Sequence, residues 1–463
     1  MSPPPARKGL SLLGALAFSS PALPVGALAV ALTVYLPHHY ASRLGLELAV
    51  VGLAFTGVRL IDILFDPALG MVMDRGRGRF GRYRPWMIAG APIFMLSAYQ
   101  LFMAPVGVGP LYLVGWLLAF YIGYSILVLS HISWAALIAP SYHERSRIFG
   151  WIQIAGVTGA SAVLLLPGVH AMGWFLVIIA PIGVALAVAR TVEPPPASAT
   201  AEQFGLKDYW TMMIRPDMRR IIAADFCLAL GPGWMSALYL FYFQDARGFK
   251  LSQANLLLFI YVLAGLVGAA VLSRVATKLG KHRTLMLAST GYSLGLLSMT
   301  LLPKANLLVA APCMFLMGFL ATSFTLLDRA MVADVSDAVR LETGRQRIGV
   351  LYALITSTQK IAGALSIGLT YAVLSLIRYD AREGAVNTPQ SIHGLELVYL
   401  TGPILFVMLG GACYIGYSLD AKRHAQIRAE LDARDALIPE AGVLETLSNA
   451  TGLPSTAIEP EPI

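Results

Sequence analysis

The stretch LLLFIYVLAGLVGAAVLSRV (256–275) decides the fold. From Leu256 to Leu272 no residue is charged, and the apolar residues do not alternate with polar ones. A strand of an outer-membrane barrel must alternate, one face to lipid and one to the lumen. An uninterrupted apolar run close to the ~20 residues needed to cross a bilayer reads as a spanning helix. The whole chain has the same character: of its 463 residues 57% are apolar and 13% are Asp, Glu, Lys or Arg, with mean hydropathy +0.68. Soluble proteins carry about 25% charged residues, so a water-soluble enzyme is excluded.

Working outward from this run, apolar segments fall near 10–36, 48–70, 87–105, 110–138, 149–168, 172–190, 220–243, 254–274, 284–303, 306–333, 348–377 and 396–419. Twelve helices of about 20 residues fit the length with loops and a tail to spare. Arg7 and Lys8 precede the first segment as in a signal peptide, but that segment is too long and lacks a small-residue cleavage site, so it is counted as a helix. The expected fold is all-α, with twelve transmembrane helices.

Lys and Arg set the orientation. With both termini in the cytoplasm, 25 of the 34 basic residues fall in inside segments and six in outside loops, with Arg59, Arg329 and Lys360 in helices. The net charge of +8 and pI near 9.3 are then mostly a positive-inside signature, and no nucleic-acid partner is needed. Cys227, Cys313 and Cys413 all lie in apolar runs and read as core residues, not a disulfide framework or metal site. No CxxC, HExxH, P-loop or GxSxG pattern is present, so no enzymatic chemistry and no cofactor are expected.

The halves echo each other. DRGRGRFGRYRPW (74–86) follows the second segment and SRVATKLGKHRTL (273–285) the eighth, each a basic loop with a glycine, Gly81 or Gly280, before a basic cluster. Two parallel repeats with a site between them are a transporter signature. The expected divisions are an N-terminal six-helix bundle at 1–190 and a middle loop at 191–219, with Pro194, Pro195 and Pro196 and an amphipathic stretch at Leu206–Met213. A C-terminal bundle at 220–419 and a cytoplasmic tail at 420–463 follow. The tail opens as a charged amphipathic helix and ends in PSTAIEPEPI, a composition expected to be disordered.

VRLIDILFDPALGMVMDRGRGRFGRYRPW (58–86) is more specific. With HERSR (143–147), MVADVSDAVRLETGRQR (331–347) and Lys360, its R-x-x-D-x-x-x-D-P-x-x-G pattern resembles the glycoside–pentoside–hexuronide:cation symporters of the major facilitator superfamily. The likeness is colinear over nearly all of 10–420. It implies the major facilitator fold in two pseudo-symmetric six-helix bundles, alternating access, and coupling of a substrate to H⁺, Na⁺ or Li⁺. It places the chain in a bacterial inner membrane.

Arg59, Asp62 and Asp66 share one helical face. A charge at bilayer depth costs ~2.5–3.5 kcal/mol on insertion scales, so this face needs partners or water. Two carboxylates one turn apart can chelate a small cation or share a proton, and in the family the matching pair binds the coupling ion. Lys360 matches the family lysine associated with that cluster. Sodium-using relatives often carry Asn before the second Asp. Here that residue is Phe65, and losing a neutral oxygen ligand weakens a hard-cation site, which favours H⁺.

For substrate contacts the candidates are Ser130, His131, Trp134, Gln153, Trp234, Asp328 and Arg329. The resemblance expects acids in the first and fourth helices and an Arg early in the fifth. Those positions hold Gly26 or its neighbours, Ser130 or His131, and Gln153. Asp328 and Arg329 are adjacent in sequence, ~100° apart on a helix, and match no family motif. Asp74, Arg75, Arg82, Glu144, Arg145, Asp334, Asp337 and Arg345 form the expected cytoplasmic gate, with Arg145 pairing Asp334 or Asp337.

The leading expectation is a monomeric, cation-coupled symporter for a small polar solute of the sugar or glycoside kind. A lysolipid or other amphiphile carrier of the same fold, and a non-transporting membrane sensor or assembly factor, are the alternatives.

Overall fold

The computed structural model describes residues 10–74, 80–138, 142–193, 206–301, 303–344 and 347–434. Among the described residues twelve long helices follow one another: α1 (Leu12–Ser42), α2 (Leu48–Asp74), α3 (Arg84–Phe102), α4 (Pro110–Ile138), α5 (Tyr142–Leu164) and α6 (Val169–Arg190). After the short helix Leu206–Met213 come α7 (Pro216–Ala246), α8 (Leu251–Leu279), α9 (Lys281–Leu301), α10 (Leu307–Thr343), α11 (Ile348–Leu376) and α12 (Pro389–Ala412). Eleven are long and apolar enough to cross a bilayer. The remaining one, α3, is diluted by Arg84, Ser97 and Gln100 and packs between α4 and α6.

Packing repeats between the halves. In the first, α2 packs on α4, α3 on α4 and α6, and α1 on α5 and α6. In the second, α8 packs on α10, α9 on α10 and α12, and α7 on α11 and α12. The bundles meet where α2 lies along α11 and where α5 touches α8, partners that exchange under the same pseudo-two-fold. The chain thus forms two pseudo-symmetric six-helix bundles, the major facilitator fold.

The echoing loops share a backbone device. Gly81 and Gly280 have φ of +97° and +89°, a region that L side chains avoid. Past Gly81 the amides of Arg82, Tyr83 and Arg84 converge on the Glu193 carboxylate at 2.7–3.1 Å. An acid there satisfies the free N–H groups opening α3 and complements its dipole. Glu193 follows α6. Asp420, which acts electrostatically on His282 in the first turn of α9, holds the matching place after α12.

Several boundaries differ from the hydropathy reading. Helix α10 runs to Thr343, ten residues past the expected end, because its polar last turns are covered by a tail helix over 421–434 that buries Ile427 and Leu431. The twelfth helix starts at Pro389, not 396: Pro389 sits at N1, and Thr388 caps the helix by accepting from the Ser391 amide at 3.2 Å. The amphipathic stretch Leu206–Met213 is helical. Beside it Arg215 forms a two-point ion pair with Glu342 at 2.7 and 2.9 Å, and that carboxylate raises the guanidinium pKa. PSTAIEPEPI and the three successive prolines lie outside the described residues.

Candidate functional site

The charged face of α2 meets α11 where the bundles join. Lys360 reaches across to Asp62 Oδ2 at 3.3 Å and forms a still closer ion pair with Asp66 Oδ2. Arg59 holds Asp62 Oδ2 at 3.1 Å, with its guanidinium 4.8 Å over the Tyr121 ring. Ser125 of α4 donates to Asp62 Oδ1 at 2.7 Å. The four charges sum to zero, which is what a low-dielectric site requires.

The two acids are not equivalent. The Asp62 side chain is 1% exposed and fully bonded, whereas that of Asp66 is 19% exposed. The second oxygen of Asp66, Oδ1, has no hydrogen-bond partner. Pro67, next in sequence and inside α2, has no N–H for the Ile63 carbonyl, so a second oxygen beside Asp66 loses its helical bond. Asp62 is an anchor and Asp66 the less constrained acid, its side chain partly exposed and its Oδ1 buried without a partner, with the Lys360 ammonium lodged between them as a small cation would be. Sequence spacing found Arg59, Asp62 and Asp66, and the resemblance pointed to Lys360. It missed Ser125 and Tyr121, whose only signal is a polar stripe on α4.

The substrate candidates are not brought together. Ser130 is fully buried and bonds back to the carbonyls of Ile126 and Leu127 at 2.6 and 3.1 Å. His131 bonds the Phe18 carbonyl at 2.8 Å, and its ring lies 4.8 Å from the Phe18 ring. Trp134, at 0% exposure, stands edge-on to Phe18 and presents no face to a solute. Trp234 donates to the Val398 carbonyl at 3.0 Å and packs on Gly402 and Phe406. Asp328 is buried against Tyr414. Helix α10 continues fifteen residues beyond Asp328, so the acid lies inside the bundle and not at a helix end. In this conformation neighbouring helices occupy the surfaces of these five side chains. Gln153 and Arg329 are exposed.

The missing acid of the first helix has a steric reason. A Cβ on Gly26 would lie 1.9 Å from the Gly156 carbonyl oxygen of α5. No side chain fits there.

Of the gate residues, Arg75 and Arg345 lie outside the described residues, as do the side chains of Asp74 and Arg145. Glu144 opens α5. The Arg82 amide binds Glu193 within its own bundle, and its guanidinium stands over Tyr83. Asp334 is held by Lys281 at 2.6 Å, and Asp337 by His424 and Arg428 of the tail helix at 3.1 and 3.6 Å.

At the opposite end of the bundle from these basic loops the halves are sealed together. Tyr35 donates to Asn255 at 2.7 Å, Thr56 to the Ala364 carbonyl at 2.8 Å, and the Glu383 amide to the Ser42 carbonyl at 3.0 Å. Arg43 pairs with Glu383 at 3.0 Å, and Gly52 abuts Gly368 so that α2 and α11 touch backbone to backbone. Outside this seal lies a cavity of about 680 Å³ lined by both halves, including His38, His39, His170 and Asp245.

The model of a family described as MFS/sugar transport protein matches residues 17–421. Among curated proteins the chain is similar to the uncharacterized symporter YnaJ of Bacillus subtilis (strain 168), 23% identical over 92% of this chain and 96% of that protein. It is similar to the lactose permease of Lactobacillus delbrueckii subsp. bulgaricus, 25% identical over 82% and 65%. It is also similar to the isoprimeverose transporter of Lactiplantibacillus pentosus, 23% identical over 87% and 88%. Among solved structures, the nucleoside transporter NupG superposes with TM-score 0.64 at 14% identity, over 88% of this chain and 98% of that one. A bacterial homolog of the human lysosomal transporter Spinster, inward-facing and occupied, gives 0.62 at 14% identity over 89% and 97%; these two likenesses show the fold. The chain belongs to the MFS/sugar transport protein family, among the glycoside–pentoside–hexuronide:cation symporters, and is a multi-pass membrane transporter and not an enzyme.

Proposed function

We propose that the protein is an inner-membrane symporter that accumulates a sugar or glycoside by coupling it to a proton through Asp62 and Asp66. The observation that carries the reading is the electroneutral cluster across α2 and α11, with an ammonium seated between two carboxylates and one carboxylate oxygen left without a partner. A cation arriving at Asp66 competes with Lys360. Because Lys360 belongs to the other bundle, that exchange changes how the halves hold each other. Curated relatives described as lactose permeases, an isoprimeverose transporter and a glycoside/cation symporter support the solute class. Among the described residues Ser125 alone brings a neutral oxygen to the cluster, which suits a proton better than a metal cation that needs many oxygens.

The basic end is taken as cytoplasmic, with both termini there, and the chain as a monomer divided at the middle loop 191–219. The sealed end then faces outward. Uptake of a panel of labelled sugars and glycosides into proteoliposomes should exceed equilibration only under an inward proton gradient. Sodium-driven uptake indifferent to pH would overturn the proton assignment, and accumulation of lysolipids instead of sugars would overturn the solute class.

When the outer end opens, Asp334 and Asp337 turn from Lys281, His424 and Arg428 toward Arg145 of the other bundle. Arg145→Ala is then expected to lower labelling of Ala364→Cys by an impermeant outside maleimide, by about the tenfold that 1.4 kcal/mol represents. Unchanged labelling would remove Arg145 from the gate.

A further inference from the structure

Two acids in the C-terminal bundle take no part in the cluster described above. Asp225 of α7 and Asp328 of α10 are 2% and 0% exposed. Asp225 Oδ1 accepts from the Gln359 amide at 2.8 Å, and Asp328 Oδ1 from the Tyr414 hydroxyl. Both donors are neutral. The remaining oxygen of each acid, Oδ2, is buried without a hydrogen-bond partner. The two acids are close enough to act on each other electrostatically. Their other titratable neighbours are Arg329, which acts on Asp225 while its own side chain is exposed, and Tyr417 and Cys413, which face Asp328.

Two ionised carboxylates in such a place are untenable. Each would be out of water with a neutral donor on one oxygen and nothing on the other, and each would repel its neighbour. A single proton resolves the conflict. Placed on either carboxyl group, it removes one buried charge and the repulsion with the other, and turns an unpartnered oxygen into a hydrogen-bond donor. We propose that Asp225 and Asp328 form a second proton-binding site, holding one proton between them at neutral pH. Gln359, which grips Asp225, precedes Lys360, which grips Asp66. Adjacent residues of α11 therefore read the two sites, one inside the C-terminal bundle and one between the bundles. The assignment concerns what this acid pair binds and stands whether or not Asp62 and Asp66 couple transport.

Infrared difference spectroscopy on the full-length protein in lipid nanodiscs tests it. At neutral pH the wild type should show the carbonyl stretch of a protonated carboxyl group that is absent from Asp225→Asn/Asp328→Asn. The same band should survive in Asp62→Asn, and in the wild type it should fade as the pH is raised. A wild-type spectrum without the band, or a band that the double variant retains, would overturn the proposal. Should the double variant not fold, the wild-type spectrum and its alkaline titration still decide. A failure of the symport reading would appear elsewhere, as accumulation that persists in Asp62→Asn, and would leave this band untouched.

Discussion

Replacing Asp62 with Asn is expected to abolish gradient-driven accumulation in proteoliposomes while leaving the protein folded. Asn keeps the shape and can still meet Ser125 at 2.7 Å, but it removes the negative charge that Arg59 and Lys360 share. The cluster then carries one excess positive charge at a site where Asp62 is 3% exposed. Removing one partner of a buried charge pair costs about 3–5 kcal/mol, so the occupancy of this arrangement should fall at least a hundredfold. The excess charge also repels the incoming cation. Lys360→Gln should do the opposite. It leaves one negative charge unbalanced beside the unpartnered oxygen of Asp66, so the site retains a proton and the carrier exchanges solute without accumulating it. Measuring counterflow and net accumulation side by side separates the two variants. Accumulation at the wild-type level in Asp62→Asn would end the coupling assignment.

The second large effect is mechanical. Helices α2 and α11 close the outer end by backbone contact: a Cβ on Gly368 would lie 2.3 Å from Thr56 Oγ1, and one on Gly52 would lie 3.1 Å from the Tyr371 Cβ. Gly368→Val is therefore expected to wedge the helices apart. It displaces the Thr56 hydroxyl from its bond to the Ala364 carbonyl, and overpacking of this kind costs about 1–3 kcal/mol. Most of that cost falls on the sealed conformation, because only there do the helices touch. In a background with Cys227, Cys313 and Cys413 replaced, labelling of Ala364→Cys from outside should rise at least about fivefold, and transport should slow because the outer end cannot reseal. Labelling that stays at background would show that this contact is not the seal.

Much of this protein is legible along the chain because a bilayer imposes a one-dimensional rule. Apolar runs must span it, and basic residues mark one side. The charges on α2 were legible for the same reason, since a carboxylate inside an apolar run is expensive and its spacing shows which face it takes. What the run could not disclose was the partner. Ser125, Tyr121 and Lys360 lie 63, 59 and 298 residues from Asp62, and no periodicity connects them.

Polar residues on deeply apolar helices are harder to read. His131 and Trp234 have the chemistry of a solute site, yet in this conformation each spends a polar atom on a neighbouring helix, and Trp134 is wholly buried. The helix ends near 343 and 389 were misplaced because hydropathy cannot see a tail helix covering charged turns, nor a proline and threonine starting a helix early.

The chain by itself determined the helical class, the repeat and the acidic face, all properties of a residue and its near neighbours in a solvent that forbids unpaired charge. Only the packed bundles decided which acid is sealed and which is partly exposed, which end is shut, and that Asp225 and Asp328 are each buried with an unpartnered oxygen. Those outcomes depend on distances between helices far apart in sequence, where a shift of an ångström turns a hydrogen bond into an unpaired oxygen.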